Sequence, residues 1–94
     1  MNKNYFIYIL SNPAFPGWLK IGRTCNIKRR LDGYNVCSPY RDFKIDFYCY
    51  AKNIIKQERY FKKNFESNGE WIRCELDTAV KVIKLIEDME NIEN

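Results

Sequence analysis

Hydrophobic periodicity divides the chain into strand-like and helix-like segments. From Tyr5 to Leu10 the residues are aromatic, β-branched or aliphatic without interruption, the pattern of a strand covered on both faces. SNPAFPG, Ser11 to Gly17, breaks it: neither proline can donate to a ladder and Gly17 can take positive φ, so this stretch is a loop. Trp18 to Arg23 resumes as a strand, with Leu19, Ile21 and Arg23 on one face and Trp18, Lys20 and Gly22 on the other. The short connection makes the two strands hairpin partners, and therefore antiparallel. FKIDFYCY, Phe43 to Tyr50, alternates cleanly between apolar and polar and predicts a half-exposed third strand.

Between and after these strands the period changes to that of a helix. Asn26 is a good N-cap for a helix from Ile27 to about Asn35. Ile27, Arg30, Leu31 and Tyr34 recur at helical spacing, which sets Arg30 on the face that Ile27 and Leu31 bury. Asn53 is expected to cap a second helix, Ile54 to Glu66, with an inward stripe of Ile54, Glu58, Phe61 and Phe65. A carboxylate in that stripe either snorkels at its margin or is held there for a cation. Asn68-Gly69 reads as a turn and Glu70 to Cys74 as a short extended piece packing through Trp71. Asp77 is expected to cap a last amphipathic helix with Ala79, Val82, Ile83 and Ile86 inward and Lys81, Lys84, Glu87 and Asp88 outward. The expected fold class is α/β of the α+β kind, a small three-stranded antiparallel sheet flanked by about three helices.

Ninety-four residues, 46% of them hydrophobic, suit one domain spanning residues 1–94 and exclude disorder by composition. The net charge of +4 conceals an asymmetry, with 13 Lys and Arg against 4 Asp and Glu through Lys63, and 3 against 8 from Asn64 onward. Such a division suits a polyanion-binding face opposite a solubilising one, or simply a solvated surface with unevenly spread lysines. The four cysteines, Cys25, Cys37, Cys49 and Cys74, form no C-x-x-C pair and the chain has no histidine, which argues against a zinc site. They are expected to be reduced and mostly buried. No apolar run reaches membrane length, so the expected location is intracellular and cytoplasmic, with no membrane partner.

The polar groups set within these elements converge: Tyr8 and Lys20 on neighbouring strands, Arg30 and Tyr34 on one helix, Glu58 on another. A structural ion pair would explain Arg30 with Glu58 alone, but five polar groups aimed at one place each cost desolvation and point to a site. In order and spacing they resemble the GIY-YIG nuclease domain, in the compact form common in phage and viral genomes. Phe6-Ile7-Tyr8 and Lys20-Ile21-Gly22 resemble its two motifs with 11 residues between them, and NIKRRLDGY and QERYFKKNF resemble its arginine and glutamate helices. Phe6 stands where the family has glycine and Lys20 where it has tyrosine; Asn68 or Asn64 could serve as the family's asparagine, or Trp71 could close that edge.

The resemblance implies a metal-dependent DNA endonuclease that leaves 5′-phosphates, with Tyr8, Lys20, Arg30, Tyr34 and Glu58 catalytic and Glu58 the ligand of one divalent ion, Mg²⁺ or Mn²⁺. Tyr8 is the candidate base, its phenolate favoured by Arg30, Lys20 and a metal, with Lys20 as an alternative proton acceptor through Tyr8. Arg23, Lys28, Arg29, Lys62 and Lys63 are expected to extend contact along the phosphates of double-stranded or branched DNA. The protein would act as a monomer or weak homodimer. The rival expectation is a non-catalytic nucleic-acid-binding module on the same fold.

Overall fold

The computed structural model describes residues 5–93, with side chains described through residue 89. Its elements run β1 (Phe6–Ser11), β2 (Trp18–Thr24), α1 (Ile27–Val36), β3 (Lys44–Tyr50), α2 (Ile54–Asn64), β4 (Ser67–Asn68), β5 (Trp71–Arg73) and α3 (Leu76–Glu93). The strands form one antiparallel sheet in the order β3-β1-β2-β5-β4. The sheet therefore has five strands, which corrects the expected three. The extra pair, β4 and β5, is two and three residues long, too short for alternation to reveal. Gly69, at φ 62°, supplies the left-handed residue that turns the chain between them.

One face of the sheet carries the core. Ile7, Ile9, Leu19, Ile21 and Ile72 pack against Ile54 and Phe61 of α2 and Ala79 and Ile83 of α3. Each large aliphatic or aromatic side chain so covered contributes about 1.5–3 kcal/mol relative to exposure. β1 is an interior strand, flanked by β3 and β2, and Ile7 to Leu10 are buried on both sides as its unbroken apolar run requires. The other face carries Tyr8, Lys20 and Gly22, and α1 lies over only part of it. No residue of α1 is fully buried, and Arg30 is exposed rather than sealed beneath Ile27 and Leu31. The helix is an amphipathic cover for a small patch, so its apolar positions reach only half-burial.

Three further expectations change for one reason, that α2 and α3 pack side by side. The buried stripe of α2 is Ile54, Gln57 and Phe61, so Glu58 sits one position off, at the half-exposed margin. An amide is the cheaper group to bury there, because Gln57 Nε2 donates to the Ile83 carbonyl at 3.0 Å and to Glu87 at 3.0 Å. The Asn53 side chain makes no capping bond. Glu87 of α3 instead accepts from the backbone N–H of Lys52 at 2.8 Å and of Asn53 at 3.3 Å, so it points toward α2 and not outward. Helix α3 begins at Leu76 with Asp77 already in its first turn. None of the cysteines is fully buried, Cys25 and Cys37 being exposed and Cys49 and Cys74 half-buried, and all four are free thiols. Among the described residues no helix is long and apolar enough to cross a membrane.

Glu87 thus substitutes from another helix for a missing N-cap. Glu87→Ala is expected to lower the unfolding free energy by about 1–3 kcal/mol, read from urea denaturation. An unchanged midpoint would show that water replaces the carboxylate without loss.

Candidate active site

The β1–β2 hairpin register sets Tyr8 opposite Gly22 and Leu10 opposite Lys20, and β2 in turn sets Lys20 opposite Trp71. Residues directly opposite one another share a face, so Tyr8, Lys20, Gly22 and Trp71 all stand on the side away from the helical core. Gly22 is required by packing. A Cβ added there would lie 2.6 Å from the Tyr8 hydroxyl and 2.6 Å from Glu70 Oε1. The Tyr8 ring therefore reaches across the space left by the missing side chain, and is itself 1% exposed.

Immediately after β2 the chain turns into α1. Thr24 Oγ1 accepts from the Asn26 N–H at 3.1 Å, and the Asn26 side chain accepts from the Arg29 N–H at 3.0 Å. This double cap fixes the first turn of the helix beside the end of β2 and brings Arg30 to the sheet edge. There, Gly22, Arg23, Arg30, Glu58, Lys62 and Glu70 line a hollow of about 330 Å³. The Ile21 N–H donates to the Glu70 carbonyl at 3.1 Å and so holds Glu70 at the rim of the hollow.

Charges around the hollow are unevenly paired. Glu58 faces Arg23, Nε to Oε1 at 3.7 Å, with both side chains substantially exposed, so the pair is weak. Arg23 also lies over the Tyr5 ring at 5.6 Å. The alternative of an Arg30–Glu58 ion pair is not what forms, and among the described residues Arg30 has no ion-pair partner. Lys20 is half-buried rather than on a free face, its ammonium 5.2 Å from the centre of the Tyr34 ring and 5.3 Å from that of Trp71. Tyr8 is held in its protonated form: burial is the main cause, the Tyr34 hydroxyl and the Glu70 carboxylate add to it, and Arg30 opposes them without reversing the direction. The expectation of a favoured phenolate thus meets an apolar setting that works against it.

The family model of the T5orf172 domain matches residues 5–87. The chain belongs to the T5orf172 domain family. No curated protein and no solved structure matches it. The T5orf172 domain is associated with endonuclease-like proteins, which points to a nucleic-acid-associated function.

In this T5orf172 domain the five residues singled out by pattern fall in one neighbourhood: Arg30 and Glu58 on the hollow, Tyr8 behind Gly22, Tyr34 beside Tyr8, and Lys20 over Tyr34. Of the basic residues expected along the phosphates, Arg23 and Lys62 line the hollow, and Lys62 and Lys63 line a shallow recess beside it with Arg59. Arg29 shares a separate recess along α1 with Arg30 and Tyr34, and Lys28 is exposed on that helix without lining the hollow. Neither asparagine considered lines the hollow. Asn64 donates to the Tyr60 carbonyl at 2.9 Å, and Asn68 lies with Phe15, Trp18 and Trp71. Pattern reasoning missed Glu70, since an acid next to an Asn-Gly turn carries no signal until the strand pairing brings it to Gly22.

Glu58 and Glu70 offer hard carboxylate oxygens on the same hollow. Among the described residues no three His, Cys, Asp or Glu side chains form a metal-binding group. Mg²⁺ takes one or two carboxylates and completes its shell with water and substrate phosphate, so this donor set fits it and would not suit zinc.

Two measurements check the packing. Gly22→Ala should drive a methyl into the Tyr8 hydroxyl and the Glu70 carboxylate and cost about 1–3 kcal/mol of stability, read from thermal or urea unfolding. In a spectrophotometric titration of the 7 tyrosines, one should stay protonated well past the ordinary value of about 10, and Tyr8→Phe should remove that late component. Because the folded-state value is raised, the associated stabilisation is present below about pH 10 and lost as pH rises beyond it. A titration in which every tyrosine ionises together would contradict the burial of Tyr8.

Proposed function

We propose that this T5orf172 domain is a metal-dependent endonuclease that hydrolyses a phosphodiester of double-stranded or branched DNA by a GIY-YIG-type mechanism, leaving a 5′-phosphate. The observation that carries the reading is the meeting of Arg30, Glu58 and Glu70 on one hollow, with Tyr8 immediately behind it. A guanidinium without a carboxylate partner among the described residues suits a bound phosphate, and its fork of donors can stabilise charge building on the non-bridging oxygens. Glu58 and Glu70 would hold the divalent ion, Mg²⁺ or Mn²⁺. When bound, it supplies Lewis-acid stabilisation at the phosphate and the leaving 3′-oxygen.

The remaining residues position and move protons. The Tyr8 phenol, held protonated by its surroundings, orients a water by hydrogen bonding and becomes a base only when charge in the hollow lowers its pKa. Lys20, wedged between Tyr34 and Trp71, adds positive potential on that side. Tyr34 fixes the Tyr8 hydroxyl from α1. Arg23, Lys62 and Lys63 extend the basic surface along the DNA backbone, with Lys28 and Arg29 exposed on α1, and give affinity and salt dependence rather than sequence choice.

The protonated state of Tyr8 favours one second reading, a binding module that holds nucleic acid without cutting it. Nicking of supercoiled plasmid by the purified protein, with and without Mg²⁺, separates the two. Glu58→Ala should reduce metal-dependent nicking by at least about a hundred-fold, and Arg30→Lys should do likewise because a point charge cannot replace the fork. Both side chains lie at the surface of the hollow, so circular dichroism should show the fold intact. Salt-dependent DNA binding with no nicking under any divalent ion would establish the module instead.

A further inference from the structure

The sheet face that carries Tyr8 and Gly22 continues past Lys20 into an aromatic recess. Lys20, Trp71 and Asn68 form one cross-strand row, since Lys20 pairs with Trp71 and Trp71 with Asn68. Trp18, two residues from Lys20 on β2, projects on the same side, and Phe15 of the preceding loop closes against Trp71 with ring centres 5.3 Å apart and nearly edge to face. Phe15, Trp18, Asn68 and Trp71 line an open recess of about 220 Å³. Phe15 keeps 47% of its surface exposed, large for a phenylalanine with no packing duty in the core.

We infer that this recess binds a single unstacked nucleobase of the substrate, next to the phosphodiester held in the hollow. The inference rests on the nuclease reading and gives it a substrate class: DNA with an unpaired nucleotide at the cleavage position. Three features of the recess fit that occupant. The walls are the aromatic side chains Phe15, Trp18 and Trp71, and aromatic rings stack any base. The rim carries an amide, Asn68, which both donates and accepts and so matches a base edge. The Lys20 ammonium lies between Trp71 on the recess side and Tyr34 on the site side, where it can meet the phosphate of the nucleotide whose base is stacked. The Lys20 and Gly22 positions are about 7 Å apart along the strand, so one nucleotide spans both. Extrusion is cheapest where the base is already unpaired, which sets the preference for bulged, gapped or branched DNA over a perfect duplex.

The test uses fluorescence anisotropy and quenching in EDTA, so that binding is read without turnover. The probes are a duplex with a single-nucleotide bulge of 2-aminopurine, the same duplex with an abasic residue as the bulge, and the fully paired duplex. The wild-type protein should bind the base-containing bulge about tenfold or more tightly than the abasic one and quench the 2-aminopurine. Trp71→Leu and Phe15→Ala should each bring that ratio close to one. Phe15 lies on an exposed loop, so its variant decides the matter even if the tryptophan variant loses its fold. Equal affinity of the wild type for the base and abasic bulges, or a ratio unmoved by Phe15→Ala, overturns the inference. Either result leaves the Glu58→Ala nicking assay to judge the nuclease reading separately.

Discussion

The site depends on an absence, the missing side chain at Gly22. Because β1 and β2 pair in register, Tyr8 and Gly22 face each other, and the tyrosine ring occupies the volume a Cβ would fill. Its hydroxyl then comes within reach of a helix, α1, and of the turn between β4 and β5. A phenol, a second phenol and a carboxylate meet there only because a glycine opposes a tyrosine on adjacent strands.

The surroundings of that contact divide the molecule by solvent as well as by position. The far side of the sheet is a hydrocarbon core closed by α2 and α3, and it is stiffened at its polar end by Glu87, which caps α2 from α3. The near side is only partly covered, since α1 buries no residue completely. An open edge with basic side chains, two acids and a row of aromatics is costly as a folding solution, as stacked polar groups and exposed rings contribute little to stability. Such a surface makes physical sense where a polyanion with stackable bases comes to rest on it.

Arg30 opposes every other influence on the Tyr8 proton. The apolar setting, Tyr34 and Glu70 hold its proton, and Arg30 draws toward the phenolate. Any chemistry that needs the phenolate must therefore bring positive charge with it into the hollow. Membership of the T5orf172 domain family agrees with a nucleic-acid-associated role for such a surface.

Much of this was legible in order along the chain. The unbroken apolar run of β1, the proline-bearing loop, the alternation of β3 and the Asn26 cap all follow from local rules of backbone geometry and solvation, which act over a few residues. Lys20 could be picked out as a charge in mid-strand, Arg30 and Glu58 as charges within apolar stripes, and Tyr8 and Tyr34 because each sets a hydroxyl within an apolar run or stripe. What the chain alone left undecided was how deep the polar groups of the helices lie and which side chains they meet. Spacing alone cannot distinguish Gln57 from Glu58 on α2, and the neighbouring helix decided for the amide because it could hydrogen-bond it. Two strands of two and three residues have no period to detect, and they exist because β2 offers them an edge. Glu70 entered the site through that pairing, across a distance in sequence that no local pattern spans.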